Sequence, residues 1–79
     1  MIRVLLSDPA IRDVIAAFLR FANLTVTYPE NVKDTLYVDF AAFDFDEKVQ
    51  LRIVERMLAA WQTEHRNAAL AHAEIAIHN

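Results

Sequence analysis

The longest helical pattern of apolar and polar positions in the chain extends from Asp44 to about Asn67. Asp44 is a favourable N-cap residue and Glu47 can bond back to the backbone N–H of the cap, so the two predict a capping box. The apolar residues of this helix cover an arc of roughly 200°, whereas an ordinary surface helix has a stripe of about 100° or slightly more. They are Val49, Leu51, Ile53, Val54, Met57, Leu58, Ala60 and Trp61. We therefore expect this helix to be covered on more than one flank.

A shorter amphipathic helix is predicted near the N-terminus. Asp8 can cap it, and Pro9 suits its first position because a backbone N–H is not needed there. The apolar stripe follows the spacing i, i+3, i+4, i+7, i+8 and i+11, and comprises Ile11, Val14, Ile15, Phe18, Leu19 and Ala22. Asn23 can adopt the left-handed conformation just after the helix. Ala16 lies opposite the stripe, and Phe21 lies outside it and is expected to be partly exposed.

Four segments have the patterns that are typical of strands, namely residues 2–6, 24–28, 35–40 and 71–78. The first is a short run of mostly branched apolar residues, which indicates a buried strand. The other three alternate apolar and polar residues with a period of two. Pro29 ends the second segment, and a polar connection leads to the third, so these two strands are expected to form a hairpin.

The order strand, helix, strand, strand, helix, strand is that of the ferredoxin-like βαββαβ fold. We therefore predict an α+β two-layer sandwich with an antiparallel sheet of order 4-1-3-2 and both helices on one face. The residues predicted to face the helices are Ile2, Val4, Leu6, Val26, Tyr28, Leu36, Val38, Phe40, Ala73, Ile75 and Ile77. The open face is predicted to carry Arg3, Leu5, Ser7, Thr25, Thr27, Thr35, Tyr37, Asp39, His72, Glu74 and Ala76. Because many unrelated functions share this fold, it specifies no activity.

Composition limits the classes of function that need to be considered. The chain has 79 residues, which suits a single domain over residues 1–79 with a modest core. It has no Cys and no Gly, so thiolate chemistry and the usual glycine-containing phosphate loops are excluded. The net charge of −3 disfavours nucleic acid as a partner. We see no signal-peptide pattern and no apolar segment long enough to span a membrane, and we expect a cytoplasmic protein.

Two groups of residues could bind a metal ion, and both have a simpler interpretation. His72, Glu74 and His78 share one face of the last predicted strand. They are spaced by two and four residues, and a third ligand four residues away along a strand would lie at about 13 Å, which is too far to close one site. The acidic residues within 44–47 stand at a helix N-terminus, where capping and the helix dipole favour carboxylates. We therefore predict no metal and no cofactor.

Residues 33–40 resemble, in part, the RNA-recognition segment on the third strand of RRM domains, which implies an RNA-binding sheet face. The residues that agree with that segment are Lys33, Tyr37, Val38 and Phe40. Its glycine, its first stacking aromatic and its small residue are replaced, respectively, by Asp34, Thr35 and Leu36. Since acidic side chains on the same face would also repel phosphate, nucleic-acid binding is our third hypothesis.

An enzyme or ligand-binding domain of the dimeric α+β barrel type is the second hypothesis, with its site on the open sheet face. The polar candidates for such a site are Arg3, Asp39, His65, His72 and Glu74. No Ser-His-Asp, Cys-His or paired-Glu spacing stands out. Acylphosphatases are similar only in strand order, and they use a glycine-containing phosphate loop where this chain has residues 7–9. We therefore predict no catalytic residues.

The preferred hypothesis is a small non-enzymatic domain that binds another protein, itself included, as a binding, adaptor or inhibitor module. The surplus apolar arc of the long helix supports this hypothesis, because a chain of this length cannot bury it alone. We therefore expect a homodimer. The predicted partner-binding residues are Val49, Ile53, Met57, Trp61, His65 and Tyr37.

Overall fold

Four strands and two helices follow one another in the predicted order. The computed structural model describes residues 1–40, 43–65 and 70–76. In chain order the elements are β1 (Ile2–Leu6), a 3-10 turn (Pro9–Ile11), α1 (Arg12–Phe21), β2 (Thr25–Thr27), β3 (Thr35–Asp39), α2 (Glu47–Glu64) and β4 (Ala71–Ile75). The strands form one antiparallel sheet, so the predicted α+β class is confirmed.

The strand order across the sheet is β2-β3-β1-β4, which reads β4-β1-β3-β2 when it is counted from the other edge. In the register, Ile2 stands opposite both Val38 and Ile75, and the next residue, Arg3, stands opposite Tyr37 and Glu74. Because side chains alternate along a strand, these two rows point to opposite faces of the sheet. The Ile2 row belongs to the core, and the Arg3 row belongs to the open face.

Both helices cover the same face of the sheet. α1 packs against β2 and β3, whereas α2 packs against β1 and more extensively against β4. One hydrophobic cluster joins them, and its members are Ile2, Val4, Leu6, Ile15, Ala16, Leu19, Leu24, Val26, Leu36, Val38, Phe40, Val54, Leu58, Trp61 and Ala73. Every predicted inner-face residue of β1 and β3 is therefore buried.

α1 is rotated about its axis relative to the predicted stripe. Ala16 is fully buried, although it was placed opposite the stripe, while Val14 and Ala22 are exposed. The charged side chains next to Ala16 hold this side of the helix towards β2. Arg12 and Arg20 lie over the Tyr28 ring at 4.5 and 5.4 Å, and Nη2 of Arg20 donates to the Val26 carbonyl at 2.9 Å.

The ends of α1 follow the prediction more closely. The backbone N–H of Ala10 donates to Asp8 Oδ1 at 2.9 Å, so Asp8 is a cap, although it caps the 3-10 turn. Asn23 has a φ of 66° just after the helix, as predicted. Phe21 is exposed, also as predicted, and its exposed fraction is nearly complete.

The predicted start of α2 is wrong. The helix begins at Glu47 with Asp46 as its N-cap residue, and no side chain caps it, so the capping box from Asp44 does not form. Glu47 instead accepts a hydrogen bond from the amino group of Met1 at 2.5 Å. The Glu47 carboxylate, which the capping box would use, is thus bonded to a charged donor that is distant in the sequence. α2 ends at Glu64, and the predicted end near residue 67 lies outside the described residues.

Three residues of the predicted sheet faces differ from the prediction in their burial, although Thr35 and Ala76 keep the predicted face. Tyr28 lies beyond the end of β2 and is exposed instead of facing the core, because the Arg12 guanidinium covers its ring at 4.5 Å and its hydroxyl donates to Asp13 at 3.1 Å. Thr35 is buried on the open face, where it stands opposite Leu5 of the central strand β1. Ala76 is buried because its N–H donates to the Met1 carbonyl at 2.9 Å and holds it beside β1. The predicted strand residues 77 and 78 lie outside the described residues.

Candidate interaction surfaces

The residues predicted to bind a partner lie on separate parts of the structure. Trp61 is buried in the core, and Tyr37 is on the open face of the sheet, away from α2. Val49, Ile53 and Met57 share one flank of α2, but only Val49 is exposed, since the other two pack against the core. The predicted residues therefore do not form one surface.

His65 ends α2 and covers Trp61. The two rings are stacked with their centroids 4.4 Å apart and their planes 12° from parallel. Nδ1 of His65 donates to the carbonyl oxygen of Trp61 over 2.8 Å, which satisfies a carbonyl that the last helical turn leaves free. These contacts give His65 a structural role at the C-terminus of α2.

The wide apolar arc of α2 is mostly covered within the chain. Val54, Leu58 and Trp61 are buried in the core, and Leu51, Ile53 and Met57 are partly buried against it. The apolar surface of α2 that remains available to a partner is therefore small. Among the large apolar side chains of the arc that the structure describes, Val49 in the first turn of α2 is the one that is exposed.

Four large apolar side chains are instead exposed at one end of the domain. Thr25 pairs with Asp39, which brings the C-terminal end of α1 and the segment after β3 to the same end of the sheet. α2 starts from that segment, so its first turn lies there as well. We call this region the apolar end surface; it consists of Phe21, Phe43, Phe45 and Val49, which are 93%, 42%, 42% and 44% exposed.

Two of these side chains form a stacked pair over a buried ring. The Phe43 and Phe45 rings have centroids 5.6 Å apart and planes 10° from parallel. Phe40, which is buried, meets both of them edge-on at 6.3 and 6.2 Å. This packing orients the Phe43 and Phe45 rings. Exposed acidic residues, Asp39, Asp44 and Asp46, lie at the same end.

The exposure of Phe43 and Phe45 was not predicted from the sequence. They alternate with Asp44 and Asp46 just before the long helix, and we interpreted this segment only as a helix cap. The signal that could have identified them is the pair of phenylalanines in a short acidic connection, where polar residues are the usual choice.

The open face of the sheet carries an ion pair between the paired residues Arg3 of β1 and Glu74 of β4. Nε and Nη2 of Arg3 lie 2.6 and 2.5 Å from the same oxygen, Oε1 of Glu74. The hydrogen bond to Glu74 raises the pKa of Arg3, and Tyr37 on the other side adds to the effect. Arg3 is therefore a permanent cation that already has a counter-ion. This arrangement makes the centre of the open face close to neutral.

A cavity of about 140 Å³ lies between α2 and the outer edge of β4. Its lining consists of Glu55, Leu58, Ala59, Gln62, Ala71, His72 and Ala73. Within the described part of the chain, the buried amide nitrogen of Gln62 has no hydrogen-bond partner. Such an unpaired donor costs free energy.

The other candidate chemistry is not brought together. His72 and Glu74 share the open face of β4, but the third predicted member, His78, lies outside the described residues. Among residues 1–40, 43–65 and 70–76, no group of three His, Asp or Glu side chains could hold a metal ion. In the segment that resembles RRM domains, Phe40 is in the core, which leaves Tyr37 as the aromatic ring on the open face.

No family model, curated protein or solved structure matches the chain. In the part of the chain that the structure describes, no helix is long and apolar enough to cross a membrane.

Proposed function

We propose that this chain is a non-enzymatic domain that binds another protein through the apolar end surface. The observation that supports this is the exposure of three phenylalanines at one end of the molecule. If a phenylalanine has about 200 Å² of surface, their exposed area totals roughly 350 Å². The largest apolar patch on a typical monomer has roughly 300 to 600 Å², and such patches are often functional.

The chemistry of the apolar end surface defines the kind of partner that would fit it. Removing about 350 Å² of apolar surface from water at about 25 cal/mol per Å² would contribute roughly 9 kcal/mol before the costs of association. The nearby carboxylates of Asp39, Asp44 and Asp46 favour basic side chains around the contact. The partner proposed here is therefore a protein with an apolar patch that is bordered by Lys or Arg.

The fold that we propose is ferredoxin-like. Support comes from the antiparallel sheet with β1 and β3 at its centre and from two helices that cover one face. Enzyme clefts usually measure about 300 to 1,000 Å³, and the cavity beside β4 has about 140 Å³, which favours the interaction hypothesis over the enzymatic one. Cytoplasmic location stays a prediction.

Self-association is the second part of the proposal. A chain of 79 residues buries a small core, and chains of this size often gain stability from a second copy. The edge strand β4 has no paired strand on its outer side among the described residues, which supports the same idea. The proposed domain is thus a homodimer that also binds a different protein, which is the arrangement expected of an adaptor or inhibitor.

Affinity capture with matched surface variants tests the proposed binding site. The immobilised chain, its Phe21→Ser variant and its Val32→Ser variant are each incubated with a lysate of the source organism, and the retained proteins are identified by mass spectrometry. Val32 is also exposed but lies in the connection between β2 and β3, at the other end of the domain. We expect one protein to be retained by the parent and by Val32→Ser and to be lost with Phe21→Ser. Retention of the same proteins by all three would refute this site.

A further inference from the structure

β4 forms one edge of the sheet, and half of its backbone groups point away from the domain. The N–H of Ala76 donates to Met1 at 2.9 Å, and the N–H of Ser7 donates to Leu70 at 2.8 Å. Since bonding alternates along an antiparallel pair, residues 70, 72, 74 and 76 face β1. The N–H and C=O groups of Ala71, Ala73 and Ile75 therefore point outward, and no described strand pairs with them.

This edge lacks the features that usually prevent strands from pairing with another chain. Proteins commonly protect an edge with Pro, Lys, a bulge or a short strand. β4 has five residues, AHAEI, with neither Pro nor Lys, and its register with β1 is continuous, without a bulge. The side chains at the outward-pointing positions, Ala71, Ala73 and Ile75, are apolar, and two of them are small. A further antiparallel strand can therefore pair along the whole length of β4.

We propose that the additional strand is β4 of a second copy of this chain, paired antiparallel about a two-fold axis at Ala73. This register opposes Ala73 with Ala73 of the second copy and Ala71 with Ile75 of the second copy. These pairs consist only of outward-pointing residues, so they supply about six backbone hydrogen bonds. The inference rests on the proposed self-association, but it does not depend on the apolar end surface.

The side chains on the open face suit this register. His72 would stand directly opposite Glu74 of the second copy, and Glu74 opposite His72 of the second copy. An imidazole N–H would thus meet a carboxylate twice at the interface, which is an attractive cross-strand pair. Arg3 bonds Oε1 of Glu74, so the other carboxylate oxygen remains available for the histidine. An axis at His72 or at Glu74 would instead oppose two histidines or two carboxylates, and like charges directly opposite each other are destabilising.

The helix layer also fits a second copy. α2 lies over β4 and β1, so a strand spacing of about 4.8 Å would place the two α2 helices about 10 Å apart, which is a normal packing distance. Ala59, on the cavity side of α2, would be at the contact, where a small side chain permits this approach. Because the two helices are antiparallel about Ala59, Gln62 would face Glu55 of the second copy. The Gln62 side chain, which lines the cavity, would then lie beside that carboxylate.

Variants of the intact chain test this interface by sedimentation velocity over a range of micromolar concentrations. The parent should sediment as a dimer of twice the 9.1 kDa chain mass. Ala73→Pro should be monomeric, because it removes an outward N–H that the single domain does not use. Phe21→Ser should dimerise like the parent, since Phe21 is remote from β4.

A charge exchange on α2 supplies a second test that does not alter the strand. Gln62→Glu would oppose two carboxylates across the interface and should weaken the dimer at least about tenfold. The double variant Glu55→Gln with Gln62→Glu restores an amide opposite a carboxylate, and its dissociation constant should return to within about threefold of that of the parent. Circular dichroism of each variant checks that the fold is retained.

The outcomes distinguish the two proposals. A parent that stays monomeric at all concentrations would overturn both self-association and this interface. A dimer whose dissociation constant is unchanged in Ala73→Pro and Gln62→Glu would overturn the β4 interface alone. If Phe21→Ser were then the variant that dissociates, the apolar end surface would be the dimer contact instead.

Discussion

Two valines on the helices provide a direct test of the observed helix phases. Val54 of α2 is fully buried, whereas Val14 of α1 is 52% exposed, although the sequence pattern placed both on apolar faces. Val14→Ala and Val54→Ala remove the same two methyl groups and gain the same helix propensity. The difference between their effects on the free energy of unfolding therefore isolates burial.

The magnitudes follow from the structure. Two buried methyl groups contribute about 1.6 kcal/mol of transfer free energy, and an unfilled cavity of about 50 Å³ adds about 1.2 kcal/mol. Since Ala has a better helix propensity than Val by about 0.5 kcal/mol, Val54→Ala should destabilise the domain by about 2.3 kcal/mol. For Val14→Ala, the loss of transfer free energy is smaller, about 0.8 kcal/mol, and the better helix propensity of Ala offsets most of it. The free energy of unfolding should therefore change by no more than about 0.5 kcal/mol.

Urea unfolding at one fixed protein concentration measures both variants, because any self-association makes stability depend on concentration. Parallel slopes would show that the denaturant midpoints report stability. In thermal melts, the expected difference corresponds to roughly 8 to 16 °C for a domain of this size. Equal destabilisation by the two substitutions would contradict the rotated phase of α1.

Three further predictions concern other parts of the structure. Trp61→Ala should cost about 3 to 5 kcal/mol in urea unfolding, whereas His65→Ala should cost about 0.5 to 1.5 kcal/mol, because it removes one hydrogen bond and a stacked ring. Phe21→Ser should change the free energy of unfolding by no more than about 0.5 kcal/mol, and it should lower the binding of an apolar fluorescent dye. Thermal melts with EDTA and with Zn²⁺ should agree, since a metal bound at 100 times its Kd would add about 2.7 kcal/mol; a stabilisation that His72→Ala abolishes would contradict this.

The strands were the most predictable part of the fold. Ile2, Val4, Leu36 and Val38 were all placed on the correct face, because a strand pattern has only two phases and a wrong one exposes every apolar residue. A helix, in contrast, can be rotated about its axis by a smaller angle, which exchanges only a few residues between its buried and exposed sides. In α1, Ala16 is buried and Val14 is exposed, because Arg12 and Arg20 contact Tyr28 beyond the end of β2, and no residue in the stripe signals those contacts.

The errors at the candidate surfaces arise from contacts that are distant in sequence. Glu47 binds the amino group of Met1, and Phe43 and Phe45 pack on Phe40, so the segment before α2 stays outside the helix. Local patterns contain no information about either contact. The same limitation affected the apolar arc of α2, whose width was correct but whose partner is mostly the domain's own sheet.

The two proposed surfaces together determine how the domain would act. An axis at Ala73 relates the two copies by a half turn that reverses the direction of α2, so their apolar end surfaces would lie at opposite ends of the dimer and point in opposite directions. One partner molecule could not contact both surfaces unless it extended along the length of the dimer, and α2 alone, with 18 residues, is about 27 Å long. A dimer of this kind would therefore bridge two partner molecules instead of holding one more tightly, because avidity requires that both sites be reached at once. Light scattering of a purified complex should thus give two chains with two partners, and a ratio of two chains to one partner would contradict this geometry.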